Sequence, residues 1–155
     1  MSKSAAETRV RLERFLPYRL SVLTNRVSSA IAASYSRRFG LSIPEWRVMA
    51  VLADSPGLAA SEVAGRTAMD KVAVSRAVAT LLRAGRLTRR MATGDRRRSV
   101  LALSAAGAAV YAEVAPIALQ HERELLRALA PADRAALQRI LSLLLAHTDP
   151  ETPSP

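Results

Sequence analysis

The chain has 155 residues, half of them hydrophobic, with 23 lysines and arginines against 13 acids and no cysteine. That length fits one domain with a substantial core, and the net charge of +10 points to a polyanionic partner. The absence of cysteine excludes a disulfide scaffold, a thiolate zinc site and a cysteine redox switch.

No apolar run reaches membrane-spanning length, and the first residues lack the apolar centre of a signal peptide. A soluble cytoplasmic protein without a membrane partner is therefore expected. Residues 1–14 read as a flexible basic arm or a short extra helix. Pro17 suits the first turn of a helix. Leu16, Leu20, Leu23, Val27, Ala30, Ile31 and Ser34 then recur at helical spacing as far as Arg38, and Gly40 marks the stop. Pro44 opens a second helix, with Ser42 or Ile43 at the cap and Trp46, Met49, Ala50 and Leu52 or Ala53 on its buried face. The Asp54–Gly57 run is turn chemistry. A short helix over 60–66 begins near Ser61.

The run KVAVSRAVATLLRAG, residues 71–85, predicts a further helix with Val74, Val78, Leu81 and Leu82 inward and Gly85 just past its end. Two extended runs around a Gly-Asp turn, RLTRRM and RRRSVLAL, then predict a β-hairpin. Ser104 caps the next helix, which Pro116 should kink. Pro131 opens the last one, with Leu137, Ile140, Leu141, Leu144 and Leu145 as its apolar stripe. The tail over 148–155 reads as disordered.

Charge is uneven along this order. Residues 1–38 carry +6, 39–60 carry −1, 61–98 carry +7, and 99–155 carry −2. The second basic block covers a helix, its bracing predecessor and a hairpin with Arg96, Arg97 and Arg98 at the tip. That sequence of elements is a winged helix-turn-helix: one helix enters the major groove and the wing reaches along the backbone. Guanidinium groups at a wing tip suit phosphates and a narrow minor groove. Asp95 beside them can hold one guanidinium in a fixed pose. The expected fold class is mainly α with a small β-hairpin wing.

The stretch DRRRSVLALSAAG resembles the wing signature of the MarR family of bacterial transcription regulators, in which D-x-R precedes a strand and L-[TS]-x-x-G. Asp95, Arg97, Leu103, Ser104 and Gly107 match it. DKVAVSRAVATLLRAGRLTRR is similar to the family's recognition helix and the lead into its wing, and LSIPEWRVMAVLA to the segment after the first helix. The resemblance covers roughly residues 12–147. It implies one MarR-like domain over 15–147, with a winged module at 42–104 and dimerisation helices at 15–38 and 105–147. It also implies a homodimer on a pseudo-palindromic double-stranded operator, and a small anionic or aromatic effector held between the dimer helices and the winged module.

Candidate DNA contacts follow residue by residue. Arg76, mid-way along the outer face of the recognition helix, suits a guanine edge. Lys71, Ala73 and Ser75 line the helix start, where Ala73 can meet a thymine methyl. Thr80 and Arg83 suit phosphates or solvent, and Ser61 suits a phosphate at the bracing helix. Arg97 is the minor-groove candidate with Asp95 as its orienter, while Arg96 and Arg98 suit phosphates. Candidate effector contacts are Arg19, Arg26, Tyr35, Arg38, Trp46 and His121, and an aromatic acid or its CoA thioester is the kind of ligand they suit. Two histidines and no phosphate-binding glycine loop leave no catalytic set, so neither an enzyme nor a metal or cofactor site is expected. The expected function is a dimeric, ligand-responsive repressor. The alternative is an architectural DNA-binding protein that answers to no ligand.

Overall fold

The computed structural model describes residues 10–149, apart from the side chain of Arg96. Most of the expected basic arm and of the expected tail lies outside the described residues. After a turn of 3₁₀ helix at Leu12–Arg14, the elements are α1 (Leu16–Phe39), α2 (Ile43–Asp54), α3 (Ala60–Thr67), α4 (Lys71–Arg83), β1 (Leu87–Ala92), β2 (Asp95–Leu103), α5 (Ala105–Leu126) and α6 (Pro131–Thr148). The chain falls into two compact units that divide after Ala118, inside α5. The class is the expected one: helices with a two-stranded antiparallel hairpin.

Local chemistry sets the helix ends. Ser42 caps α2: its hydroxyl accepts the Glu45 amide, and the Glu45 carboxylate accepts the Ser42 amide in return. Asp70 caps α4 by accepting the Ala73 amide at 2.8 Å. Gly85 follows α4 with φ of 68°, and the amides of Gly85 and Arg86 turn back to the carbonyls of Leu82 and Leu81. This is a Schellman closure, and its left-handed residue favours glycine. In the turn between α3 and α4, Ala68 takes a left-handed φ of 51° despite its Cβ, a conformation that costs an L-residue about 1–2 kcal/mol.

The core of the first unit gathers Tyr35 from α1, Val48, Met49 and Leu52 from α2, Val63 and Ala64 from α3, and Val74, Ala77, Val78 and Leu81 from α4. Leu41, Leu87, Leu101 and Val114 complete it. The stripe expected on α1 is covered only toward its C-terminal end. Tyr35 is the buried residue of that helix, whereas Leu16, Leu20 and Leu23 are exposed. On α2 the buried face is Val48, Met49 and Leu52, so Val48 replaces Ala50 and Ala53, and Trp46 is half-buried.

A junction at Arg86 and Ser104 ties the base of the hairpin to the helices. Arg86 donates a guanidinium hydrogen bond to the carbonyl of Phe39 at the end of α1. Its own carbonyl accepts the Ser104 amide, while the Ser104 hydroxyl donates to Gly85 O at 2.6 Å and accepts the Gly107 amide at 3.0 Å. A Cβ on residue 107 would stand 2.0 Å from the Arg86 carbonyl oxygen. The L-S-x-x-G match is therefore a packing requirement: serine ties the chain back and glycine permits the approach.

Taken by itself, the second unit contains the end of α5 and all of α6. No α6 residue is buried. Pro131 opens α6 and Asp133 sits in its first turn, as expected. Helix α5 is continuous across Pro116. Among the described residues, no helix is long and apolar enough to cross a membrane.

Candidate nucleic-acid interface

Helix α4 turns Val74, Ala77, Val78 and Leu81 into the core and leaves Lys71, Val72, Ser75, Arg76, Ala79 and Arg83 outside. Four of the predicted contact residues, Lys71, Ser75, Arg76 and Arg83, therefore share one open face. Ala73 and Thr80 are half-buried. They line a groove of about 230 Å³ with Arg76 and Ala77, opposite Ser42, Pro44 and Glu45 of α2. Ser61 is exposed in the first turn of α3. Val72, which the sequence reading passed over, is 58% exposed on the same face. Its place one residue after Lys71 and three before Ser75 was the available signal.

The wing departs from expectation in two ways. Ala92 pairs with Asp95, so the tight loop is Thr93–Gly94 and Asp95 already belongs to β2. The next pair on β1 is Met91 with Ser99, so Arg96, Arg97 and Arg98 bulge from the ladder. Among the described side chains, Asp95 has no guanidinium partner. Its carboxylate accepts the backbone amide of Arg97 at 2.9 Å, a local Asx-type turn that fixes the course of the bulge. Arg97 is exposed, and among the described residues its guanidinium has no ion-pair partner.

The Arg98 guanidinium reaches Glu62 of α3 at 2.5 Å. Glu62 also accepts the Ala59 amide at 2.7 Å, so one carboxylate closes the start of α3 and tethers the wing. The Ala59 amide first, and Arg98 second, hold that carboxyl below its ordinary pKa. On the other edge of β2, Leu101 bridges to Leu58 through amide-to-carbonyl bonds of 2.8 and 2.9 Å that include Gly57.

Within the first unit, the predicted effector residues lie at different places. Tyr35 and Trp46 do meet, with ring centroids 5.8 Å apart, and Tyr111 of α5 stacks on Trp46 at 5.5 Å. Tyr35 and Trp46 line a cavity of about 100 Å³ with Ser28, Ile31, Ile43 and Arg47. Arg47, absent from the sequence-derived set, donates to the Ser28 hydroxyl at 3.2 Å. Burial raises the Tyr35 pKa, with Arg47 opposing and Glu45 reinforcing, so the phenol is a neutral donor at ordinary pH. Arg38 instead pairs with Glu113 of α5 and lies over the Phe39 ring. Arg19 and Arg26 are exposed on α1, and His121 belongs to the second unit. Among the described residues no histidine and carboxylate cluster has the spacing of a metal site.

Residues 39–98, from the end of α1 to the wing bulge, match the sequence model of the MarR family. The winged helix of this chain is similar to that family in sequence. The MarR fold extends beyond the matched segment. The chain is similar to a MarR family transcriptional regulator from Silicibacter pomeroyi DSS-3, with 29% identity, a TM-score of 0.76, and coverage of 91% of this chain and 100% of the other. It shares its fold with a MarR/EmrR family regulator from Acinetobacter sp. ADP1, at 24% identity, a TM-score of 0.82 and coverage of 90% and 99%. It also shares its fold with BpsR of Bordetella bronchiseptica, at 21% identity, a TM-score of 0.76 and coverage of 88% and 96%; the DNA binding of BpsR is regulated by 6-hydroxynicotinic acid. No curated protein sequence is significantly similar to the chain. The sequence match is confined to the winged module, and the likeness along the rest of the chain is one of fold.

Proposed function

We propose that this chain is a MarR-family transcription regulator, a homodimeric repressor that binds a pseudo-palindromic operator and releases it when a small aromatic acid binds. The observation that carries the DNA side is the shared outer face of α4, with Lys71, Ser75, Arg76 and Arg83 exposed while its apolar side is buried. In this reading Arg76 meets a base edge, Lys71, Ser75 and Arg83 meet neighbouring groups along the groove, and Ser61 meets a phosphate at the start of α3. Arg97 enters the minor groove from a bulge whose backbone Asp95 already holds, which reduces the ordering cost on binding.

The dimer side rests on uncovered apolar surface. Phe15, Leu16, Leu20 and Leu23 of the first unit are 40–50% exposed, and Ile140, Leu143, Leu144 and Leu145 of the second are 38–70% exposed. Surface of that kind calls for a partner, and a two-fold dimer would place two recognition helices about one DNA turn apart.

The effector reading rests on the cavity beside Trp46. A neutral phenol, a guanidinium and an indole face suit a ring bearing a carboxylate. At about 100 Å³ the cavity lies below the usual 300–1,000 Å³ of ligand pockets, which favours a single-ring acid over a CoA thioester. Binding shifts the dimer toward a spacing that does not fit successive major grooves.

The test is a titration of the full chain against DNA from upstream of its own gene, with and without a panel of single-ring aromatic acids and their CoA thioesters. Specific binding that one acid releases is the expected result. Specific binding that no compound disturbs removes the effector part. Binding that is salt-sensitive and blind to sequence favours the architectural alternative.

A further inference from the structure

We infer that Val72 is a specificity residue of this regulator and that it reads the 5-methyl group of a thymine in the operator. The inference rests on the DNA-binding reading above and adds the base chemistry.

Val72 is 58% exposed. It lies in the first turn of α4, two residues after the Asp70 cap. The N-terminal turn is the part of a recognition helix that meets base edges. The flanking exposed residues on this face are Lys71, Ser75 and Arg76, so an uncovered branched hydrocarbon stands among cationic and hydroxyl groups. The apolar side of α4 is already spent on Val74, Ala77, Val78 and Leu81, which leaves Val72 outside the core. The other exposed large hydrophobic residues lie in the N-terminal 3₁₀ turn and its flanks, in α1, α5 and α6, or in the wing at Met91.

A cationic rim fits a duplex, and the one apolar group that a duplex presents in its major groove is the thymine methyl. Ala73 is less suited than its neighbour. It is half-buried and lines the groove against α2, and it carries a single methyl. Two methyl groups on Val72 cover a thymine methyl without a hydrogen bond to satisfy, so a cytosine at that place leaves a polar amine against hydrocarbon.

The experiment selects duplexes from a random-sequence pool with the full wild-type chain and with Val72→Ala. The best wild-type duplex is then remade with deoxyuridine at each thymine in turn, which removes only the 5-methyl group. Because Val72 is exposed and alanine favours helix, the variant is expected to keep its unfolding midpoint, which thermal melting checks. The wild type should enrich thymine at a symmetry-related pair of positions and lose about 3- to 5-fold in affinity on deoxyuridine substitution there. The variant should lose that enrichment and bind the two duplexes within about 1.5-fold of each other, far less than the burial of one methyl.

Wild-type affinity that ignores deoxyuridine at every thymine overturns the inference alone. So does an equal loss in wild type and variant, which assigns the methyl to another residue. If the wild type enriches no duplex, the operator-binding reading falls and the inference falls with it.

Discussion

Helices α4 and α6 are both amphipathic in sequence, and they use that property in opposite ways. Helix α4 buries Val74, Ala77, Val78 and Leu81 and shows a basic, hydroxyl-bearing side. No residue of α6 is fully buried, and Leu143, Leu144 and Leu145 stand open, Leu145 at 70%. An apolar stripe in a sequence states that something will cover it. It does not state whether the cover comes from the same chain. One helix is finished by the fold and offers polar groups outward, and the other offers hydrocarbon, so the two call for chemically different partners.

The contrast predicts different failures. Leu81→Ala should cost about 2–5 kcal/mol of folding stability, the price of a cavity in a packed core, read as a lower urea midpoint at every protein concentration. Leu144→Glu should leave that core intact and weaken self-association by roughly 100-fold, about 3 kcal/mol, because a carboxylate would be desolvated in an apolar interface. Sedimentation equilibrium reads this directly. If Leu144→Glu unfolds the chain as severely as Leu81→Ala with no change in mass, α6 is core and the contrast collapses.

The smallest effect belongs to the polar side of α4. Arg76→Ala should lower discrimination among operator variants by about 1–3 kcal/mol while leaving the fold unchanged. A loss that is uniform across sequences, with a shallower salt dependence, would make Arg76 a phosphate contact and the polar face less selective than proposed.

The legible parts of the molecule are those decided within a few residues. Ser42 and Glu45 close α2, Asp70 closes α4, Gly85 ends it, and Ser104 begins α5, all through bonds between near neighbours. Spacing alone exposes such features. The parts that escaped depend on distant segments. Glu62 and Arg98 lie 36 residues apart, and nothing in either stretch announces the other. Tyr35 and Arg47 become cavity-lining groups only when α1 and α2 fold together.

Asp95 is a subtler case. The sequence sets it beside three arginines, and its carboxylate accepts the Arg97 amide. An amide two residues away is already within reach, whereas a flexible guanidinium must lose rotamer freedom to be held. The wing therefore directs Arg97 outward by binding its backbone, an arrangement that charge counting does not reveal.

The aromatic contacts of α2 have a spectroscopic consequence. The chain contains one tryptophan, and that indole stacks on Tyr111 while lining the cavity with Tyr35. Its intrinsic emission arises at the cavity wall alone, without a second indole to dilute it. Excited tyrosines at 5.5 and 5.8 Å will pass their energy to it, so the molecule carries its own optical reporter at the place where an effector would sit.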